Sequence, residues 1–230
     1  AAAGAISFLP AVASVSEAAG SVTFQVQRTG GSRGRIVVPY AISGGDVIPG
    51  TDMAPAAGVV EFGDGDVTPK SITLSVMADG QPVGDRAMTL SLGVPIGGAV
   101  RGEPSDATLT LLDEDSVIEW KQAVYAASEG DGVVVLTAER RGSRRDAAAV
   151  GFTTRAGSAL PGLNYQYAGG VLHFEPGQAE AVVNVSLLND LWGQPDTGFW
   201  VDLDTASPGV RVGSMRSARV TVADDDLAGN

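Results

Sequence analysis

The chain has 230 residues, 44% hydrophobic and 18% charged, which is enough for one large or two ordinary folded domains. Its net charge of −12 argues against a nucleic-acid backbone as partner, because like charges repel. The chain has no cysteine and one histidine, which excludes disulfides, thiolate nucleophiles and sites that need two imidazoles. No apolar run approaches the roughly 18 residues of a membrane helix.

The first half of the chain has the pattern of short β-strands. Apolar and polar residues alternate through 21–27 and again through 72–76, a period of two that is typical of strands half buried in an antiparallel sheet. Glycine-containing turn signals at 30–32, 44–46 and 63–65 separate such segments. About seven strands fit into this half, and no segment shows a helical period. The pattern predicts an all-β, immunoglobulin-like antiparallel sandwich.

The second half of the chain repeats the first, and the repeat begins where Ile6-Ser7-Phe8 recurs as Ile118-Glu119-Trp120, an offset of 112. The same offset relates Ser16-Glu17 to Ser128-Glu129, Arg28 to Arg140, Tyr40 to Phe152, Gly50-Thr51-Asp52 to Gly162-Leu163-Asn164 and Phe62 to Phe174. After one deletion, an offset of 111 relates Asp79 to Asp190, Met88 to Phe199 and Asp113-Glu114-Asp115 to Asp224-Asp225-Asp226. We therefore predict two tandem sandwiches, residues 1–115 and 116–230, with almost no linker between them.

Catalytic motifs are weak in this chain. Residues 30–34 match the Gly-x-Ser-x-Gly pattern of serine hydrolases, but that pattern works on a strand-to-helix turn with a histidine partner. Here the segment joins two predicted strands, and its counterpart at 142–146 loses the pattern. His173 alternates with apolar neighbours and should face solvent. We predict a hairpin turn, no catalytic residue and no enzymatic activity.

The order and spacing of several short motifs resemble the Calx-β domain of sodium/calcium exchangers, an integrin subunit and many bacterial surface proteins. The matching motifs are Arg28-Thr29-Gly30 with Arg140-Arg141-Gly142, Gly50-Thr51-Asp52-Met53 with Gly162-Leu163-Asn164-Tyr165, Phe174-Glu175-Pro176-Gly177, and the closing acidic triplets. The resemblance covers nearly the whole chain twice. It implies a β-sandwich with an acidic end in each copy.

The resemblance also implies that calcium ions are the cofactor, held where carboxylates from several loops meet. Calcium prefers 6–8 oxygen ligands, which carboxylates and amide carbonyls supply. In the first copy the implied ligands are Glu17, Asp52, Asp79, Asp113, Glu114 and Asp115. In the second copy they are Glu129, Asp190, Asp224, Asp225 and Asp226, with Asn164 and Asn189 as carbonyl ligands.

Four positions depart from the family pattern, which places further acidic ligands in the loop after Asp79 and after Asp190. The first copy has Val83 and Arg86 at these places, and the second has Gln194 and Thr197. Arg86 could replace one calcium ion by pairing with the carboxylates itself. Each copy is therefore expected to hold fewer ions than fuller family members. The alternative is a degenerate pair that binds none.

Aromatic and basic residues outside the acidic ends favour structural interpretations. Trp192 is expected to fold back against its own sheet, with an exposed interface anchor as the alternative, whereas Trp200 follows inward-facing Phe199 and should face outward. A basic group on one hairpin is expected to be solvated, with contact to an acidic partner as the alternative, and it consists of Arg140, Arg141, Arg144 and Arg145.

The function predicted from these features is a non-catalytic, calcium-binding interaction or spacer module of an extracellular or cell-surface protein, in the manner of a bacterial adhesin. Calcium would stiffen the junction at 113–115 and hold the sandwiches in line. Other proteins or glycans are further predicted partners, nucleic acid and membrane insertion are not, and the isolated pair should be monomeric. The alternative is a calcium-free pair appended to a larger secreted enzyme.

Overall fold

The computed structural model describes residues 2–226. These form two compact units: the first contains the residues up to Asp79 and Val83–Asp113, and the second contains Gly80–Pro82 and the residues from Glu114 onward. Within the described residues every regular element is a strand or a single 3₁₀ turn. None of their helices is long and apolar enough to cross a membrane.

The first unit consists of two sheets packed face to face. The strands are β1 Ala5–Phe8, β2 Val12–Ser16, β3 Ser21–Thr29, β4 Ile36–Gly45, β5 Met53–Ala54, β6 Ala57–Phe62, β7 Lys70–Val76, β8 Arg86–Leu92, β9 Val100–Arg101 and β10 Asp106–Leu112. One sheet has the strand order β5-β7-β3-β1-β9 and the other has the order β2-β10-β8-β4-β6. A 3₁₀ turn at Glu17–Ala19 joins β2 to β3.

The second unit has the same plan. The strands are β11 Ser116–Trp120, β12 Val124–Ser128, β13 Val133–Gly142, β14 Ala148–Arg155, β15 Gly169–Phe174, β16 Glu180–Ser186, β17 Thr197–Ala206, β18 Val210–Val212 and β19 Ser217–Ala223. Its sheets have the orders β16-β13-β11-β18 and β12-β19-β17-β14-β15. A 3₁₀ turn at Glu129–Asp131 occupies the place of the first unit's turn.

Alternating side chains from the two sheets build each core. In β7, for example, Ile72, Leu74 and Val76 point inward while the residues between them are exposed. The second core is centred on Trp120, which is fully buried and donates a hydrogen bond from Nε1 to the carbonyl of Val201 at 2.9 Å. Burial of such side chains supplies the main driving force for a sheet-on-sheet fold.

The expected tandem all-β sandwiches are confirmed, with two differences in detail. The described residues contain ten strands in the first unit and nine in the second, more than the predicted seven, because short edge pieces such as β5 and β9 carry too few residues to show alternation. Parallel pairs also occur beside the antiparallel ones: β1 with β9, β2 with β10, β11 with β18 and β12 with β19. They arise because the first strand of each copy is split between the two sheets.

The arginine of the Arg-x-Gly motif is buried in both units and has a structural role. In the first unit, Arg28 donates hydrogen bonds to four backbone carbonyls, those of Ala3, Arg33, Gly63 and Asp66, at 2.8–3.3 Å. In the second, Arg140 donates to Ser116 Oγ and to the carbonyl of Asp146. The expectation that Arg140 is solvated with its basic neighbours was therefore wrong, because its guanidinium is buried and donates to the loop carbonyl of Asp146 and to the hydroxyl of Ser116.

Candidate metal centres

Strand pairing places the acidic residues of each copy at one edge of one sheet. In the second unit, β12 and β19 run parallel with Ser128 opposite Ala223, so the chain leaves both strands at the same edge and places Glu129 beside Asp224. In the first unit, β2 and β10 run parallel with Ser16 opposite Leu112, and the next residues are Glu17 and Asp113. The register of the parallel strand pairs therefore brings together acidic residues that are far apart in the sequence.

In the second unit, three carboxylates form a compact group. Glu129, Asp225 and Asp226 offer oxygens that all lie within 4.8 Å of one another. Glu129 is only 4% exposed, whereas Asp225 is exposed and Asp226 half-buried. Ser128 Oγ donates to Asp225 at 2.7 Å and holds that side chain beside the 3₁₀ turn.

Residues 2–226 supply no counter-charge to this group. Glu129 Oε1 and Asp226 Oδ2 are buried without a hydrogen-bond partner among the described residues, and no described basic side chain pairs with Glu129 or with the aspartates at 190 and 224–226. Burial, followed by the charges of Asp190 and Asp224, raises the pKa of Glu129. Burial and the neighbouring aspartates likewise raise the pKa of Asp226. Uncompensated buried carboxylates are energetically costly unless a cation binds them.

The loop that precedes β17 completes this edge. Asp190 accepts hydrogen bonds from the amide of Trp192 at 2.7 Å and from Gln194 Nε2 at 2.6 Å. The amide of Gln194 donates in turn to Asp224 Oδ2. Asp190 and Asp224 are therefore tied together by one residue, Gln194, which stands where the family pattern places an acid.

In the first unit, an arginine lies among the carboxylates. Arg86 Nη1 is 2.9 Å from Asp52, and Nη2 is 3.6 Å from Asp79 and 3.9 Å from Glu17. Glu17 and Asp52 are both buried. The expectation that an arginine could pair with these carboxylates agrees with this geometry. Glu17 and Asp113 also offer oxygens that lie within 4.8 Å of one another.

The predicted ligands not yet described are Glu114, Asn164 and Asn189. Glu114 is half-buried and Asn189 is exposed, and neither belongs to the carboxylate groups found among the described residues. Asn164 Oδ1 accepts a hydrogen bond from the amide of Leu160 at 3.0 Å. Asp52 Oδ2 accepts the corresponding bond from the amide of Ile48 at 2.6 Å, so each of the two side chains caps the equivalent turn of its own unit. The ligand assignments themselves stay predictions.

Sequence reasoning missed one acidic position in each copy. Asp85 accepts a hydrogen bond from the amide of Asp113 at 3.0 Å, and Asp196 accepts the equivalent bond from Asp224 at 3.3 Å. The two residues are related by the same offset of 111, which was the signal that could have found them. They orient the first residue of each acidic triplet.

Trp192 corrects a second expectation. It does not fold back on its sheet: it is 80% exposed, next to Leu191 at 86%, because its loop is anchored through Asp190 and not through packing. Trp200 is half-buried on the outer face, where the Arg155 guanidinium lies 5.4 Å from the ring centre, as its predicted orientation requires. His173 is exposed, also as expected.

The donor set fits a hard divalent cation. Apart from Arg86 at the first edge, the side chains that converge on either edge offer oxygen, and the second edge presents a buried carboxylate oxygen that the described residues leave without a partner. Calcium accepts such sets at flexible geometry, whereas zinc prefers nitrogen and sulfur ligands. The carboxylates of Glu129, Asp190 and 224–226 would hold the ion in the second unit.

Fold and site together define a tandem β-sandwich whose copies each end in a cluster of carboxylates. Residues 1–115 and 113–226 each match the family model of the Calx-beta domain. The chain therefore belongs to the Calx-beta family, with two domains in tandem.

Known proteins that resemble the chain include extracellular and membrane proteins. It is 28% identical over 235 residues to FRAS1-related extracellular matrix protein 2 of Homo sapiens, which covers 92% of this chain and 7% of that protein. It is 30% identical over 135 residues to sodium/calcium exchanger 1 of Bos taurus, with 51% and 14% covered. The chain thus spans at most 14% of the length of these two relatives.

Two solved structures show similarity to this chain. The crystal structure of CBD12 from CALX1.2 matches with a TM-score of 0.48 and 22% identity, covering 95% of this chain and 99% of that one. The apo-form Calx CBD1 domain matches with a TM-score of 0.48 and 27% identity, covering 49% and 99%.

Proposed function

We propose that this pair of domains is a non-catalytic, calcium-binding interaction or spacer module of an extracellular or cell-surface protein. One observation carries the calcium assignment: Glu129 is buried, its Oε1 has no hydrogen-bond partner among the described residues, and the residue offers a carboxylate oxygen within 4.8 Å of oxygens from Asp225 and Asp226. Calcium would neutralise this group and supply the missing contacts. The extracellular matrix relative supports the location.

Calcium would also stiffen the chain between the two sandwiches. Only residues 113–115 separate β10, which ends at Leu112, from β11, which begins at Ser116. Asp113, the first of these three residues, offers a carboxylate to the same group as Glu17. An ion that binds Asp113 would restrict the backbone where this junction begins, because the ligand loses rotational freedom. A spacer function requires that bending of the chain between the two domains be restricted in this way.

Calorimetry with calcium on the whole chain tests the assignment. Asp224→Ala should abolish binding at the second unit and Asp113→Ala binding at the first. Glu175→Gln and Asp106→Asn serve as matched controls, because each removes one exposed negative charge away from these edges. Absence of binding heat in the unmodified chain, with no rise in its melting temperature, would reject the calcium assignment.

Small-angle scattering tests the stiffening separately. The chain in calcium should show a narrower distribution of dimensions than the chain in chelator, and Asp113→Ala should abolish that difference. Identical profiles in calcium and chelator, in a chain that calorimetry shows to bind calcium, would leave the metal site intact and refute the spacer mechanism.

A second candidate function is a calcium-free pair appended to a larger secreted enzyme. Arg86 favours it for the first unit, since a guanidinium already neutralises part of that acidic edge. The second unit has no such cation among its described residues. The same calorimetry separates the two functions. The bacterial, adhesin-like setting and the protein or glycan partners stay predictions.

A further inference from the structure

The two copies neutralise equivalent positions differently, and the difference involves two residues at once. Arg86 begins β8 opposite Leu111, and Thr197 begins β17 opposite Val222, so the two occupy the same register in the two units. Asp52 pairs with Arg86, whereas the corresponding Asn164 is neutral. The second copy therefore lacks both members of the ion pair.

The arginine in the first unit holds carboxylates from three separate loops. Its side chain is 15% exposed and lies 2.9–3.9 Å from Asp52, Asp79 and Glu17. Only the contact with Asp52 has the length of a hydrogen bond, and Nη2 interacts with Asp79 and Glu17 through its charge. Loops that a divalent cation would otherwise draw together are thus joined by a residue of the chain.

The carboxylates of the second unit have no such substitute. Glu129 and Asp190 correspond to Glu17 and Asp79, and no described basic side chain pairs with either. Asp190 is instead hydrogen-bonded to Gln194 and to the amide of Trp192. Thr197, at the place of Arg86, carries no charge that could neutralise the two carboxylates.

We propose that Arg86 is a built-in cation that occupies one calcium position of the first unit, and that its replacement by Thr197 leaves the equivalent position of the second unit to an ion. The residue at this register therefore sets how many calcium ions each copy takes. This inference rests on the proposed function and refines it. The first edge is held together with or without calcium at this position, whereas the second requires the ion.

Exchange of the two residues tests the proposal in the full chain. Arg86→Thr should raise the calorimetric stoichiometry by one calcium ion per chain, and Arg86→Thr with Asp52→Asn should do the same, because it recreates the composition of the second unit. Thr197→Arg should weaken calcium binding at the second unit about tenfold or more through repulsion by a fixed positive charge. Thr197→Arg with Asn164→Asp should recover melting temperature in chelator by restoring a complete ion pair.

Arg86→Gln, which keeps most of the side-chain volume, guards against loss of folding. If either Arg86 variant is folded only in calcium, the ion replaces the guanidinium and the proposal holds. If both variants are unfolded in calcium as well as in chelator, or are folded with unchanged stoichiometry, Arg86 is a structural residue and the proposal is wrong. An unmodified chain that binds no calcium would reject the proposed function, and an ion gained by Arg86→Thr would still support this inference.

Discussion

Replacement of Glu129 by glutamine should stabilise the second unit without calcium and abolish its response to calcium. Glu129 lies within 4.8 Å of the nearest carboxylates, a distance at which two unit charges repel by about 1–3.5 kcal/mol for effective dielectric constants between 80 and 20. Glutamine has nearly the same shape and removes this repulsion. A net gain of about 1–2 kcal/mol is expected, since the exposed Asp225 is partly screened by solvent.

The assay is tryptophan fluorescence during thermal unfolding. All three tryptophans, at 120, 192 and 200, belong to the second unit, so their emission reports that unit alone. In chelator, Glu129→Gln should melt roughly 4–8 °C above the unmodified chain. In calcium at about a hundred times the dissociation constant, the unmodified chain should gain about 2.7 kcal/mol and become the more stable of the two.

The order of the two melting temperatures should therefore reverse: Glu129→Gln is the more stable protein in chelator, and the unmodified chain is the more stable in calcium. A merely structural role for Glu129 would lower the melting temperature of Glu129→Gln in both conditions. Such a result, or a variant that still gains stability from calcium as the unmodified chain does, would refute the claim that buried like charges await a cation. Glu175→Gln, an exposed change on the same unit, should behave as the unmodified chain in both buffers.

Three further predictions concern other residues. Arg28→Met should lower the free energy of unfolding by about 3 kcal/mol or more, because four backbone carbonyls lose a charged donor; urea titration measures this, and a loss below about 1 kcal/mol would contradict it. Burial would raise the pKa of Asp202, but hydrogen bonds from Arg155 and Ser217 outweigh it and hold the pKa below its usual value. The ionised Asp202 therefore adds to the free energy of unfolding at pH values above the usual aspartate pKa, and this contribution is lost as the pH falls through the lowered pKa. In urea titrations, the destabilisation caused by Asp202→Asn should therefore shrink between neutral pH and about pH 3. A destabilisation that does not change with pH would argue against the ion pair. Trp192→Phe should abolish most of the calcium-dependent change in emission, because Trp192 is exposed and its amide is bonded to Asp190; retention of the full change would show that the loop does not respond to the ion.

Much of the fold could be predicted from the sequence because the alternation of apolar and polar residues and the internal repeat can both be read along the chain. Alternation along 21–27 reports which side chains face the core, and register in a half-buried strand follows from that alternation. The repeat then doubles the evidence for every element. The short edge strands and the parallel pairs could not be predicted, since a two-residue strand has no period and pairing of β2 with β10 depends on contacts far apart in the chain.

For the candidate site, too, the sequence determined one part and the tertiary structure decided the rest. Sequence alone determined which residues are acidic, that they recur in two copies, and that Arg86 and Thr197 depart from the pattern. Only the tertiary structure decided what these residues touch: Arg86 joins Asp52, Asp79 and Glu17, and Asn164 caps its own turn. The physical reason is that charge is a property of one residue, whereas neutralisation depends on distances of a few ångströms between loops that only the packed sheets bring together.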